Sequence, residues 1–366
     1  MATTIAAAAV VSACGGGGGA VSGPPTGGSP SPTPSLSPAT VTGTVTDFDS
    51  GSPLVGAIVK VAGQTTMTNG SGVYAVSGIA GGSILQYLQI ADGSSYATYN
   101  GGVLVTAGQT TTRNVKLMNP STNCPGCAAW LAQVNTDRAN NGAGSVAFDE
   151  AAMETARQHA TDMFAQGYFA DDDTNGTSWY ARYAQKGGVG LDDSNIGLNT
   201  TWQNIESSMM AEGPGGPHHD NIVNPRHQWV GLWATATGYQ GGPNLVGDQE
   251  FVDLYDVFDP AEAGNSVTSG TQVSVHVLSL GSPSLFFQMG SLPLPSPMTP
   301  GQLNTCDANN NCPPGFPASF SSIGGAGVPG VPNLYKETAT LSPSGQYFML
   351  SASGTHFLGV TWIEAR

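Results

Sequence analysis

The residue types able to do chemistry gather between Trp130 and Trp233, most densely at Pro217-His218-His219-Asp220-Asn221-Ile222-Val223-Asn224-Pro225. Four of the six histidines lie in this stretch. His218 and His219 offer imidazole nitrogens, and Glu212 and Asp171 offer carboxylate oxygens. Such a set suits zinc, or calcium where oxygens dominate. A plainer reading makes His218 a hydrogen-bonded cleft residue, His219 solvent-exposed and Asp171-Asp172-Asp173 a solvated loop. His159 falls on the apolar side of a helical pattern and reads as a packed residue rather than a ligand. The sequence has no Gly-x-Ser-x-Gly elbow for a hydrolase serine. It has neither His-Glu-x-x-His for a zinc protease nor a phosphate-cradling Gly-x4-Gly-Lys.

Apart from Cys14, the cysteines are Cys124, Cys127, Cys306 and Cys312. An even set in an oxidising compartment implies two disulfides. Local pairs are the simplest of the three connectivities. A zinc site built from all four is the rival, although Cys-x2-Cys with Cys-x5-Cys is irregular for one. Asp307, Asn309 and Asn311 alternate as calcium-loop ligands do, but without a terminal glutamate the stretch reads as a cystine-closed turn.

The elements that must position these residues follow from periodicity. Trp130, Leu131 and Val134, then Phe148, Met153, Ala156, His159, Ala160 and Met163, recur at spacings of three and four, which places them on one helical face. Gly167 offers a stop, and Trp229 to Trp233 reads as a short strand. Upstream, alternating runs at Val41–Val45, Ala57–Val61, Val73–Val76, Ile84–Gln86 and Thr112–Leu117 are separated by turn residues, the pattern of a β-sandwich. Residues 15–39 are Gly, Ser, Pro and Thr with almost nothing apolar, a disordered linker. Ahead of them, an apolar run from Ile5 to Val11 leads into Ser12-Ala13-Cys14. This resembles a bacterial lipoprotein signal, over residues 1–14, and implies export with lipidation at Cys14. No Lys or Arg precedes Lys60, a departure from the basic start of export signals. Residues 265–366 are β-rich again and match no family recognised from the sequence.

Two further resemblances organise the chain. Gly43-Thr44-Val45-Thr46-Asp47, Gly51-Ser52-Pro53-Leu54-Val55-Gly56-Ala57 and Thr68-Asn69-Gly70-Ser71-Gly72-Val73-Tyr74 resemble a carboxypeptidase regulatory-like domain over residues 40–118. It implies a seven-stranded sandwich without chemistry, used as a spacer or binding module. Asn135-Thr136-Asp137-Arg138, His159-Ala160-Thr161-Asp162-Met163, Gly167-Tyr168-Phe169, then Pro217-His218, Asn221-Ile222-Val223-Asn224-Pro225 and Val230-Gly231, resemble a bacterial CAP (SCP-like) domain over residues 125–260. That resemblance implies an α-β-α sandwich whose cleft often holds two histidines and two glutamates able to bind a divalent cation. His218 stands at the second histidine position. Ala170-Asp171 replaces the first, and Asp193-Ser194-Asn195-Ile196 replaces Gly-Glu-Asn-Ile, so Ser194 takes a glutamate's place beside Asn195. Glu212 stands at the remaining acidic position.

With 25 acids against 10 bases the formal charge is −15, which excludes nucleic-acid binding and adsorption to anionic membranes. The expected fold is multidomain: a β-sandwich, an α-β-α CAP-like domain and a β-rich C-terminal region. The expected function is that of an exported surface protein, lipid-anchored at Cys14, touching membrane only through that anchor. Its CAP-like domain binds a lipid, glycan or protein partner non-catalytically, with at most a weak zinc or calcium site. A cation-dependent hydrolase using His218 and an adhesive display protein are the alternatives.

Overall fold

In β1 (Ala39–Asp47) alternate residues turn inward, burying Ala39, Val41 and Val45 while the threonines between them stay half-exposed. The structure is a computed structural model, which describes residues 37–366 except 83, 94, 260, 263, 265, 282–284, 310 and 355. The lipoprotein-like segment, Cys14 and all but the end of the 15–39 linker therefore lie outside the described residues. After β1 come β2 (Ile58–Val61), β3 (Gln64–Met67), β4 (Val73–Ile79), β5 (Ile84–Ala91), β6 (Tyr99–Val105), β7 (Thr110–Thr112) and β8 (Val115–Leu117). One sheet runs β4-β1-β7, with β8 also paired to β1; the other runs β3-β2-β5-β6. Val41, Val59, Tyr74, Leu88 and Val103 share their core. The eight strands exceed the expected seven because β7 and β8, both parallel to β1, are separated at Arg113-Asn114.

The central region contains α1 (Cys127–Asn140), β9 (Ala147–Phe148), α2 (Glu150–Gln166), α3 (Trp179–Gln185), β10 (Leu191–Asn199), α4 (Trp202–Met210), α5 (Pro217–Val223), β11 (Trp229–Ala234) and β12 (Leu245–Asp253). Its sheet has the order β10-β12-β11-β9. Asp149 starts α2 by accepting the Ala152 N–H at 2.9 Å, and Gly167 ends it at φ 74°. The expected apolar stripe is the buried one: Met153, Ala156, His159, Ala160 and Met163. Helix α2 approaches β11 so closely that a Cβ on Gly231 would meet the Ala152 backbone at 2.1 Å. From the opposite face, Ile205 of α4 and Trp130 of α1 close over Gly247. All nine residues of β12 are buried between these helices.

The C-terminal region adds β13 (Asp256–Val257), β14 (Ser266–Val267), β15 (Thr271–Ser279), β16 (Phe286–Leu292), α6 (Pro300–Ala308), β17 (Ser321–Ser322), β18 (Gly324–Gly327), β19 (Leu334–Leu341), β20 (Gly345–Ser353) and β21 (His356–Ala365). Sheets β13-β15-β19-β18 and β14-β21-β20-β16-β17 share a core that includes Val275, Leu341, Met349 and Ile363. The alternate residues Phe348, Leu350, Val360 and Trp362 pack instead on Tyr180 and Tyr183 of α3. The Tyr180 hydroxyl donates to the Val360 carbonyl at 2.7 Å. The stretch expected as a cystine-closed turn is helical up to Ala308: a Thr299–Gln302 capping box starts α6, which carries Cys306 and Asp307. Disulfides join Cys124 to Cys127 and Cys306 to Cys312. Among the described residues no helix is long and apolar enough to cross a membrane.

Buried polar contacts stitch these regions together. Asn100 of β6 donates to Asp149 at 2.9 Å, the Met118 N–H donates to Glu150 at 2.6 Å, and Arg113 pairs with Asp259 at 3.0 Å. The described residues all belong to one compact unit.

Candidate functional site

Helix α5 presents His218 at the margin of the central sheet, with Pro217 in its first turn. Asn195 of β10 donates to the His218 carbonyl at 3.1 Å and accepts from Asn221 at 2.9 Å, which fixes α5 against the strand. Glu212 folds back over the helix start, accepting the His218 N–H at 3.1 Å and lying 2.5 Å from His218 Nδ1. Burial alone would raise the Glu212 carboxyl, but the His218 contacts hold it below its usual value. His219 is not solvent-exposed as expected: its ring is buried, with Nδ1 3.0 Å from Asp220. The helix turns successive side chains to different sides, so the adjacent histidines cannot share a ligand.

A hollow of about 170 Å³ is lined by Asp171, Asp172, Trp179, Asp307 and the Cys306–Cys312 disulfide, and its link to His218 is the charge interaction between that histidine and Asp171. No basic side chain is among its described lining residues. Asp171 is exposed at its mouth, whereas Asp172 and Asp173 are buried rather than part of a solvated loop. Packing around its carboxyl raises Asp171 although the residue keeps a solvent-exposed side, with Arg182 and His218 opposing the shift, and burial pushes Asp172 up to about 7. Burial also raises Asp307, with Asp171 adding to the effect.

Behind this hollow, under α2, is a second polar group that the sequence reading did not assemble. Antiparallel register sets Ser194 opposite Glu250 and Ile196 opposite Asp248, all on the face that α2 covers. His159 reaches down from α2, with Nδ1 2.7 Å from Asp248 and Nε2 3.0 Å from the Ala170 carbonyl. Arg182 of α3 donates to Asp173 at 2.8 Å and to the Asp171 carbonyl at 3.1 Å. Burial pushes Asp248 and Asp192 well above the usual carboxylate range and Glu250 to about 7. It pushes His159 well below its ordinary value. For Arg182 burial works against the charge, but Asp173, Glu250 and Asp248 hold the guanidinium cationic.

The predicted ligand set does not form. Among the described residues, the group of three or more metal-type side chains within mutual reach is His159, Asp248 and Glu250, not His218, His219, Glu212 and Asp171. His218 and Glu212 engage each other, while Ser194 and Asn195, as consecutive strand residues, face opposite sides of the sheet. The residues at the cleft positions therefore do not fit the cation that the CAP resemblance implies. Asn135 and Arg138 turn out to be scaffolding. Asn135 bonds the Val146 backbone through both side-chain atoms, and Arg138 donates to the carbonyls of Gly144, Ile222, Asn224 and His227.

Residues 131–246 match the Cysteine-rich secretory protein family, CAP. A CAP domain occupies that span. Among solved structures, an outer surface protein of Borrelia burgdorferi is similar at 11% identity over 35% of this chain and 91% of its own, with a TM-score of 0.31. An extracellular SCP-domain protein of Bacillus anthracis is similar at 14% identity over 52% of this chain and 80% of its own, with a TM-score of 0.28. No curated protein matches the sequence.

Proposed function

We propose that this is an exported surface protein, lipid-anchored at Cys14, whose CAP domain binds a partner without catalysing a reaction. The observation that carries this reading is the acid-lined hollow at Asp171, together with a His218 already paired to Glu212. Asp171, Asp172 and Asp307 supply acceptors and Trp179 supplies an aromatic face, and the described lining includes no serine, free thiol, histidine or lysine. Carboxylates around an aromatic ring favour a positively charged group, so the partner, whether lipid, glycan or protein, presents a cation there. Helices on both faces of the central sheet are read as the α-β-α sandwich, and the sheets of β1–β8 as a regulatory-like β-sandwich serving as spacer. Two disulfides suit an oxidising compartment and support export. A cation at His218 and Glu212 would have two protein ligands, too few for tight binding. Tri-lysine is the probe: Asp171→Asn should weaken its binding by about tenfold, the effect of one charge-assisted contact. Hydrolysis of casein that zinc stimulates and His218→Ala abolishes would overturn the reading in favour of a hydrolase. Equal binding by wild type and Asp171→Asn would leave only a display role.

A further inference from the structure

We propose that His159, Asp248 and Glu250 form a buried, structural binding site for a zinc ion, separate from the His218–Glu212 pair. The first argument is the tautomer. The Ala170 carbonyl can only accept, so His159 Nε2 carries the ring hydrogen and Nδ1 offers its lone pair toward Asp248. Metal-binding histidines are oriented in this way, one nitrogen donating to a backbone carbonyl while the other is left to ligate.

The second argument is donor accounting. Both oxygens of Asp192, both of Glu250 and Oδ1 of Asp248 are buried without a well-formed hydrogen bond, and the hydroxyl facing Glu250 is that of Ser194, directly across the ladder. The carboxylates can bond one another only if a proton or a metal ion stands between them. Arg182 gives Nη1 to Asp173 at 2.8 Å and Nη2 to the Asp171 carbonyl, and its Nε is without a partner, so it acts on these acids through charge rather than through a hydrogen bond. One ligand atom from each of His159, Asp248 and Glu250 already lies within 4.8 Å of the others. Asp192, a diagonal neighbour of Glu250 across the β10–β12 ladder, stands outside that three-residue group and faces Glu250.

The ion follows from the donors. One imidazole and two carboxylates make a three-ligand set, all buried, with a fourth position open to a second carboxylate oxygen or a trapped water. A nitrogen donor and so few ligands match zinc, whereas calcium takes six to eight oxygens and magnesium retains several waters. The cysteines near the sheet and at α6 are consumed as disulfides and do not compete.

The competing occupant is a shared proton, and refolding separates the two. The full chain is unfolded, stripped with chelator, refolded with or without zinc sulfate, dialysed and analysed for metal. The expected result is about one zinc per chain and a higher midpoint of thermal unfolding in the zinc-refolded sample. Glu250→Gln should weaken zinc binding by about 100-fold, while His218→Ala leaves it unchanged. The first comparison needs only wild-type protein, so a Glu250→Gln variant that fails to fold does not remove the test. Wild-type protein that refolds to the same midpoint and retains no zinc would overturn the proposal, as would zinc lost on His218→Ala and kept on Glu250→Gln. The tri-lysine measurement reads the hollow rather than this cluster, so either reading can fail alone.

Discussion

Two histidines of the CAP domain each meet a carboxylate through Nδ1, His159 with Asp248 at 2.7 Å and His218 with Glu212 at 2.5 Å. The first pair is wholly buried; the second keeps 35% and 30% of its side chains exposed. In the buried pair, charge is expelled: Asp248 is pushed up and His159 down. At the surface, Glu212 is held low and ionised. Nearly the same contact is thus a fixed element of the interior in one place and an adjustable latch in the other. Desolvation makes the difference.

The comparison can be broken by experiment. Arg182 is the one cation beside the buried acids, and replacing it with Met strands Asp173. Urea unfolding should show a loss of about 3–5 kcal/mol, and a loss under about 1 kcal/mol would mean that the cluster is not held by charge. His159→Ala opens a cavity and frees Asp248, costing roughly 2–4 kcal/mol by the same measurement. Glu206 offers a control on the other face of β12. Burial raises it to about 7 while Trp130 and Gln249 donate to its Oε2 at 2.7 and 2.6 Å. A carboxyl raised in the folded state stabilises below its unfolded value of 4.5 and loses that contribution as pH rises to about 7. Stability should therefore fall by roughly 1–3 kcal/mol across that window, and Glu206→Gln, which still accepts both bonds, should flatten the fall. The smallest effect belongs to His218→Ala, expected to change stability by less than about 1 kcal/mol. A larger change would make the surface pair resemble the buried one.

Much of the scaffold is legible in the sequence. The stripe ending at Met163, the strand beginning at Trp229 and the alternation at Val41 show because each has one apolar face, which a period of 3.6 or 2 exposes. Strand β12, the centre of the site, shows no such period. Its Leu-Val-Gly-Asp-Gln-Glu-Phe-Val-Asp is polar on both faces and would read as solvent-exposed, yet it is buried throughout. What pays for those polar residues comes from Arg182, His159 and Glu206, brought in from other elements, and no local window contains them. Helix α6 was hidden by Pro300 and Cys306, although Thr299 and Gln302 carry a capping box. The CAP blocks contain His218 and, in Asn195, the strand residue that bonds its carbonyl; Ser194 faces Glu250 on the other side of the sheet, because a motif carries position in the chain without the side of the strand.

The joint between β6 and α2 bears on how such a chain can be rearranged by recombination. Asp149 caps α2 with one oxygen and accepts from Asn100 with the other, and Glu150 holds the Met118 N–H. The span recognisable as CAP begins at residue 131, but the support of its main helix lies upstream of that boundary. Cutting there would hand a new host a helix whose first turn had lost its neighbours. The heritable cassette is therefore larger than the recognisable one, and swaps that respect the motif alone would be selected against as unstable.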